Sequence, residues 1–212
     1  DEWKSAGSGA MHTWPSGKEI SLKDYATAMI QISDNTATDH LMRILKREII
    51  EDQLLIMEND FIRKNIPLLT TSEFFKFKWA LPDEDLSTYL EMDIDEKRYF
   101  LSTKVYNTPL SQLGTNGNPW NSPAFINTVE WFASTRGVCR GLKVLIEKND
   151  PIVLDILSKN TPFVDVKSAN SHFKYASFKG GSEPGVFTFN YYLESKKHKG
   201  CVSFAWSNEN KP

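Results

Sequence analysis

The chain has 212 residues and a mass of 24.2 kDa, enough to bury a substantial core as one domain or as one domain split into two lobes, without free-standing modules. A hydrophobic share of 40%, an aromatic share of 12% and a formal net charge of -2, with acidic and basic residues interleaved, argue against nucleic acid as a partner. The longest apolar stretches, such as Glu51 to Met57, are too short to cross a bilayer. No charged and hydrophobic leader follows Asp1, so the chain reads as soluble with no membrane segment.

In chain order, the first strong signal is helical. Ser21 can cap, Asp24 follows three residues later, and Leu22, Tyr25, Ala26, Met29 and Ile30 recur at helical spacing. That helix runs toward Ser33. A second begins near Asn35 or Thr36, with Leu41, Met42 and Leu45 on one side and Asp39 in its first turn, so Ser33-Asp34-Asn35 lies at a junction. Further helices are predicted by Thr70 with Glu73, by Ser134 ahead of Val138, Leu142 and Leu145, and by Asp150 with Pro151. Phe74, Phe75, Phe77 and Trp79 read as core or groove residues on one of them.

Between Asn107 and Pro123, Pro109, Gly114, Gly117, Pro119 and Pro123 predict a long irregular surface loop that can border a cleft. After Val164 the period changes. Val186 to Leu193 and Cys201 to Trp206 read as strands joined into a hairpin through Ser195 to Gly200, where Lys196, Lys197 and Lys199 are solvated turn charges. Cys139 and Cys201 allow one disulfide, but two cysteines form no dense framework and free thiols are the favoured expectation. His12, His40, His172 and His198 lack metal-ligand spacing and read as surface or capping residues, so no metal and no cofactor is implied.

Two segments carry chemistry. The first is Ile30-Gln31-Ile32-Ser33-Asp34-Asn35-Thr36-Ala37-Thr38-Asp39-His40-Leu41, and the second is Lys179-Gly180-Gly181-Ser182-Glu183-Pro184-Gly185 at the head of the strand pair. Taken singly, the first is readable as a C-cap and N-cap between helices, and the second as a turn entering a hairpin. Together, in this order and ahead of a sheet, they resemble the Ser-Asp-Asn and Lys-Thr-Gly elements of class A β-lactamase-like serine hydrolases. The likeness runs from Lys4 to Glu194 and includes Pro15-Ser16-Gly17 ahead of the first helix.

The resemblance implies an α+β fold with a helical lobe at 21–163 packed on an antiparallel sheet at 164–212, and a site in the cleft between them. It implies acyl transfer or hydrolysis of an amide or ester through an acyl-enzyme, on a β-lactam, a cell-wall peptide or a small ester. Ser33 would relay a proton to the leaving nitrogen, and Lys179 would supply positive charge to Ser33 and to a substrate carboxylate. Asn35 would bond the substrate amide, Gly181 would admit the substrate backbone, and Ser182 N–H would be an oxyanion donor beside Glu183 in the binding wall. Asp34 would be structural. Relatives are exported to the bacterial periplasm or beyond.

Three departures qualify this reading. Gly180 stands where the family has threonine. The deacylating glutamate has no clear copy; Glu130 is the nearest candidate, and its place before the Ser134 helix favours a helix partner or wall residue. The Ser-x-x-Lys nucleophile is missing as well. Ser171 to Lys174 has the spacing, but alternation around Phe173 and Tyr175 predicts a strand, which turns positions three apart to opposite faces. The nucleophile helix is therefore expected ahead of Asp1, the domain is expected to be incomplete at both ends, and its missing part is a candidate partner. A non-catalytic relative that binds a ligand or partner in the cleft is the alternative.

Overall fold

The computed structural model describes residues 2–114, 121–164, 166 and 171–210. Eight α-helices are followed by three strands among these residues: α1 (Leu22–Gln31), α2 (Asn35–Leu45), α3 (Arg47–Ile56), α4 (Thr71–Trp79), α5 (Asp83–Glu91), α6 (Ile94–Phe100), α7 (Thr135–Glu147), α8 (Pro151–Leu157), β1 (Phe173–Glu183), β2 (Val186–Ser195) and β3 (Lys199–Ser207). This is the α+β arrangement of helices on an antiparallel sheet.

The helix starts follow local chemistry. Ser21 Oγ accepts the Asp24 N–H, Asp34 accepts that of Ala37, and Thr70 with Glu73 closes a reciprocal capping box. Ser134 caps α7, and Asp150 with Pro151 at the first helical position starts α8. Helix α4 is the buried axis of the helical part, with Phe75, Phe77 and Trp79 all in the core. Phe77 meets Leu81, Leu86, Leu101, Val105 and Val129 in one apolar cluster that binds α4 to α5, α6 and the segment before α7.

The sheet order is β1-β2-β3, antiparallel throughout. Its register pairs Lys179 with Asn190 and Asn190 with Ser203. Because side chains alternate, Lys179, Gly181 and Glu183 share one face with Asn190 and Cys201, while Phe178, Phe187, Phe189, Phe204 and Trp206 share the other. The first face packs on the helices, and Phe187, Phe204 and Trp206 on the second are exposed.

Two expectations change. The Lys179 to Ser182 segment, expected to open the strand at Val186, lies instead in the preceding strand β1, and the turn into β2 is Pro184–Gly185, because the alternation seen at Phe173 and Tyr175 continues through the glycines. Cys139 and Cys201 are bridged, since α7 packs across β3 and brings their Cα atoms to 5.6 Å. In the stretch from Asn107 to Pro123, Leu110–Gln112 forms a 3-10 turn, and residues 115–120, with Gly117 and Pro119, lie outside the described residues.

The bridge spans a sequence separation of 62. Cross-links of this loop length stabilise by about 2–4 kcal/mol through the unfolded chain. The C139S/C201S variant is expected to lose roughly that amount in urea denaturation, and an unchanged midpoint would show that the bridge adds nothing to the α7 contact.

Candidate functional site

The site is assembled around Asp34. Its buried carboxylate accepts three backbone N–H groups, from Ala10 at 2.8 Å, Met11 at 2.9 Å and Ala37 at 2.9 Å. One side chain therefore caps α2 and holds the incoming segment before α1 against the helix junction. Gly9, at φ +97°, lets that segment approach: a Cβ there would fall 2.2 Å from the Asp34 carboxylate. The same loop takes up Asn35, whose Nδ2 donates to Ala6 O at 2.8 Å and whose N–H donates to Ser8 O at 3.0 Å.

Ser33 lies between the two helices in the left-handed region, φ +54°. A side chain rarely adopts this conformation unless its neighbours impose it. Here Ser8 Oγ donates to Ile32 O at 2.9 Å, and the Asp34 N–H donates to Ala28 O at 3.1 Å, fixing the backbone on both sides.

Lys179 reaches Ser33 from β1, with Nζ 2.7 Å from Ser33 Oγ, across 146 residues of sequence. Nζ also donates to Gly180 O. Burial lowers the Lys179 ammonium from the ordinary lysine range. The strand backbone at this point is held by Asn190, whose Nδ2 donates to Lys179 O at 3.0 Å while its Oδ1 accepts from Ser203 Oγ at 2.6 Å. Gly180, beside it, has little room for a side chain: a Cβ would lie 2.9 Å from Phe178 Cζ and 3.2 Å from Thr188 O. Phe178 thus occupies the space that a threonine would need.

A second charged cluster joins the far end of β1 to the helices. Lys78 Nζ, on a side chain 2% exposed, contacts Glu130 and donates to Glu183 Oε1 at 2.7 Å and Oε2 at 2.8 Å. Glu183 therefore turns both carboxylate oxygens toward Lys78. Glu130 is pushed up to about 8, first by burial and then by its hydrogen bond with Glu183, against the opposing pull of Lys78.

Ser33 and Lys179 are thus brought together, Asp34 and Asn35 bind the loop before α1, and Glu130 and Glu183 meet at Lys78. Gly181 and Ser182 are exposed on β1. Ser171 precedes the strand that contains Lys174, so the pair does not share a helix face. Sequence reasoning missed the loop from Ala6 to Met11, Lys78, Asn190 and Ser203. Signals for two of these existed, in Gly7-Ser8-Gly9 and in an asparagine inside an aromatic strand. Among the described residues no group of three or more His, Cys, Asp and Glu side chains is placed to hold a metal.

The Glu130 carboxyl has a testable pH consequence. Its folded value lies above the ordinary 4.5, so the folded protein keeps a proton that the unfolded chain releases. Stability should fall as pH rises from about 4.5 to about 8 and then level off. The Glu130→Gln variant should flatten this part of the Tm profile; a wild-type slope retained in the variant would assign the dependence to another group.

A sequence model of the Beta-lactamase enzyme family (Beta-lactamase2) matches residues 1–62, which include the Gly7–Gly9 loop and the Ser33 junction. No curated protein sequence matches significantly. Among solved structures, a β-lactamase from Sphaerobacter thermophilus DSM 20745 is similar over 99% of this chain and 62% of its own, with 18% identity and a TM-score of 0.58. PBP-A is similar over 99% of this chain and 61% of its own, with 14% identity and a TM-score of 0.52. The chain thus spans less than two thirds of either structure. Its fold is the one these two structures share.

Proposed function

We propose that this chain forms the proton-relay wall of a serine hydrolase or acyl transferase acting on an amide or ester, a β-lactam or cell-wall peptide among them. The observation that carries the reading is the 2.7 Å contact between Lys179 Nζ and Ser33 Oγ. A half-buried lysine and a serine hydroxyl on a left-handed backbone form a donor chain of the kind that protonates a leaving nitrogen. In the proposed reaction a serine Oγ attacks the carbonyl carbon and gives up its proton to a base. The acyl–nitrogen bond then breaks, the nitrogen takes a proton from Ser33, and Lys179 restores it. The oxyanion would be met by backbone N–H groups along β1, and Lys179 would also attract a substrate carboxylate.

The attacking serine belongs, in this proposal, to a Ser-x-x-Lys helix in the part of the domain that completes this chain. Export to the bacterial periplasm or beyond belongs to the same proposal and fits the Cys139–Cys201 bridge. The ligand-binding alternative is kept by one observation: among the described residues, Ser171 and Lys174 do not form a helical nucleophile pair.

The test is intact-mass spectrometry of the protein carrying its Ser-x-x-Lys segment, incubated with a penicillin-type acylating probe. One covalent adduct is expected, with acylation slowed about 10²–10⁴-fold in Lys179→Ala and in Ser33→Ala. No adduct, with the probe bound non-covalently, would leave the binding reading; rates unchanged in both variants would remove Ser33 and Lys179 from the chemistry.

A further inference from the structure

The end of α2, the start of α3, α4 and the turn after α6 enclose a cleft of about 570 Å3, lined in part by Arg43, Arg47, Glu73, Arg98, Ser102 and Tyr106. Its size is that of small-molecule sites. Two of the three guanidinium groups are neutralised. Arg47 grips Glu73 through two bonds, at 2.6 and 3.0 Å, and donates to Leu68 O. Arg98 pairs with Glu48 at 3.0 Å and with Glu51. Lys76, behind the wall, donates to Val105 O at 2.9 Å and Tyr106 O at 3.2 Å.

Arg43 is different. Its guanidinium carbon lies 5.4 Å from the Trp3 ring centre and 5.7 Å from that of Tyr106. Its Nε is buried with no hydrogen-bond partner, and no carboxylate pairs with it among the described residues. Aromatic rings hold a guanidinium in place without cancelling its charge, and its donors suit planar or tetrahedral oxyanions. The same positive field adds to burial in lowering Lys76, against the pull of Glu73. Besides Glu73, the cleft has two further carboxylates near it: Glu48, in the lining and paired with Arg98, and Glu2, which accepts a hydrogen bond from Tyr106 Oη at 2.8 Å.

We propose that this cleft binds a small oxyanion, a phosphate or carboxylate group, on Arg43. The site is separate from the Ser33–Lys179 contact, since Arg43 follows Asn35 by about 12 Å of helix at 1.5 Å per residue, and it does not depend on the proposed catalysis. Glu2 acts as an internal competitor for the ligand.

The experiment follows the arginine side-chain N–H resonances by NMR during titration with inorganic phosphate and, separately, with acetate, each at constant ionic strength in sodium chloride. A saturable shift at Arg43 is expected with at least one probe; saturation by phosphate assigns a phosphate-type ligand and saturation by acetate a carboxylate. Arg43→Gln and Ser102→Glu, the latter at an exposed position of the wall, should each weaken binding more than tenfold, and Glu2→Gln should tighten it. Shifts that rise without saturation for both probes would overturn the proposal. So would an affinity unchanged in Ser102→Glu, a variant that decides the matter alone if Arg43→Gln fails to fold.

Discussion

A carboxylate withdrawn from water is costly unless its lone pairs are filled, and Asp34 fills its own with the N–H groups of Ala10, Met11 and Ala37. Those three groups come from two separate pieces of chain, so meeting the needs of one side chain fixes the loop before α1, the junction after it and the start of α2. Gly9 is the complementary constraint, because only a residue without a side chain can lie against that carboxylate. Ser33 then has no freedom to leave the left-handed region, and its hydroxyl is delivered to Lys179 rather than to solvent.

The sheet answers from the other side. Strand alternation sends Lys179 and Glu183 to the same face, where one meets Ser33 and the other meets Lys78. β1 is therefore clamped to the helical lobe at two points, one through the half-buried Lys179 and one through the buried Lys78. Between the clamps that face of β1 carries only Gly181, which is exposed and has no side chain. The opposite face carries Phe187, Phe189, Phe204 and Trp206, and its exposure sets it apart from the packed, polar face.

Much of the helical part was legible because its boundaries are written locally: Ser21, Thr70, Ser134 and Asp150 each cap the helix that follows. The junction at Ser33 to Asn35 was legible for the same reason. The extent of β1 was not, since Lys179-Gly180-Gly181-Ser182 has turn composition and gains strand structure only by pairing with β2. The disulfide depends on α7 crossing β3, which no local spacing records. Glu130 and Glu183 were visible as acidic residues, but their shared partner Lys78 lies 52 and 105 residues away from them, and such a contact has no period to read. Arg43 has no signal of its own in the sequence; the rings of Trp3 and Tyr106 set it apart.

In the proposed reaction Ser33 and Lys179 act as one donor pair. The most direct measurement is a pH titration of the Lys179 side-chain ammonium by 15N NMR, in the wild type and in Ser33→Ala. A midpoint below that of ordinary lysines is predicted, because burial disfavours the charged form, and it should move when the Ser33 hydroxyl is removed. A titration at the ordinary lysine value, identical in the two proteins, would contradict the account.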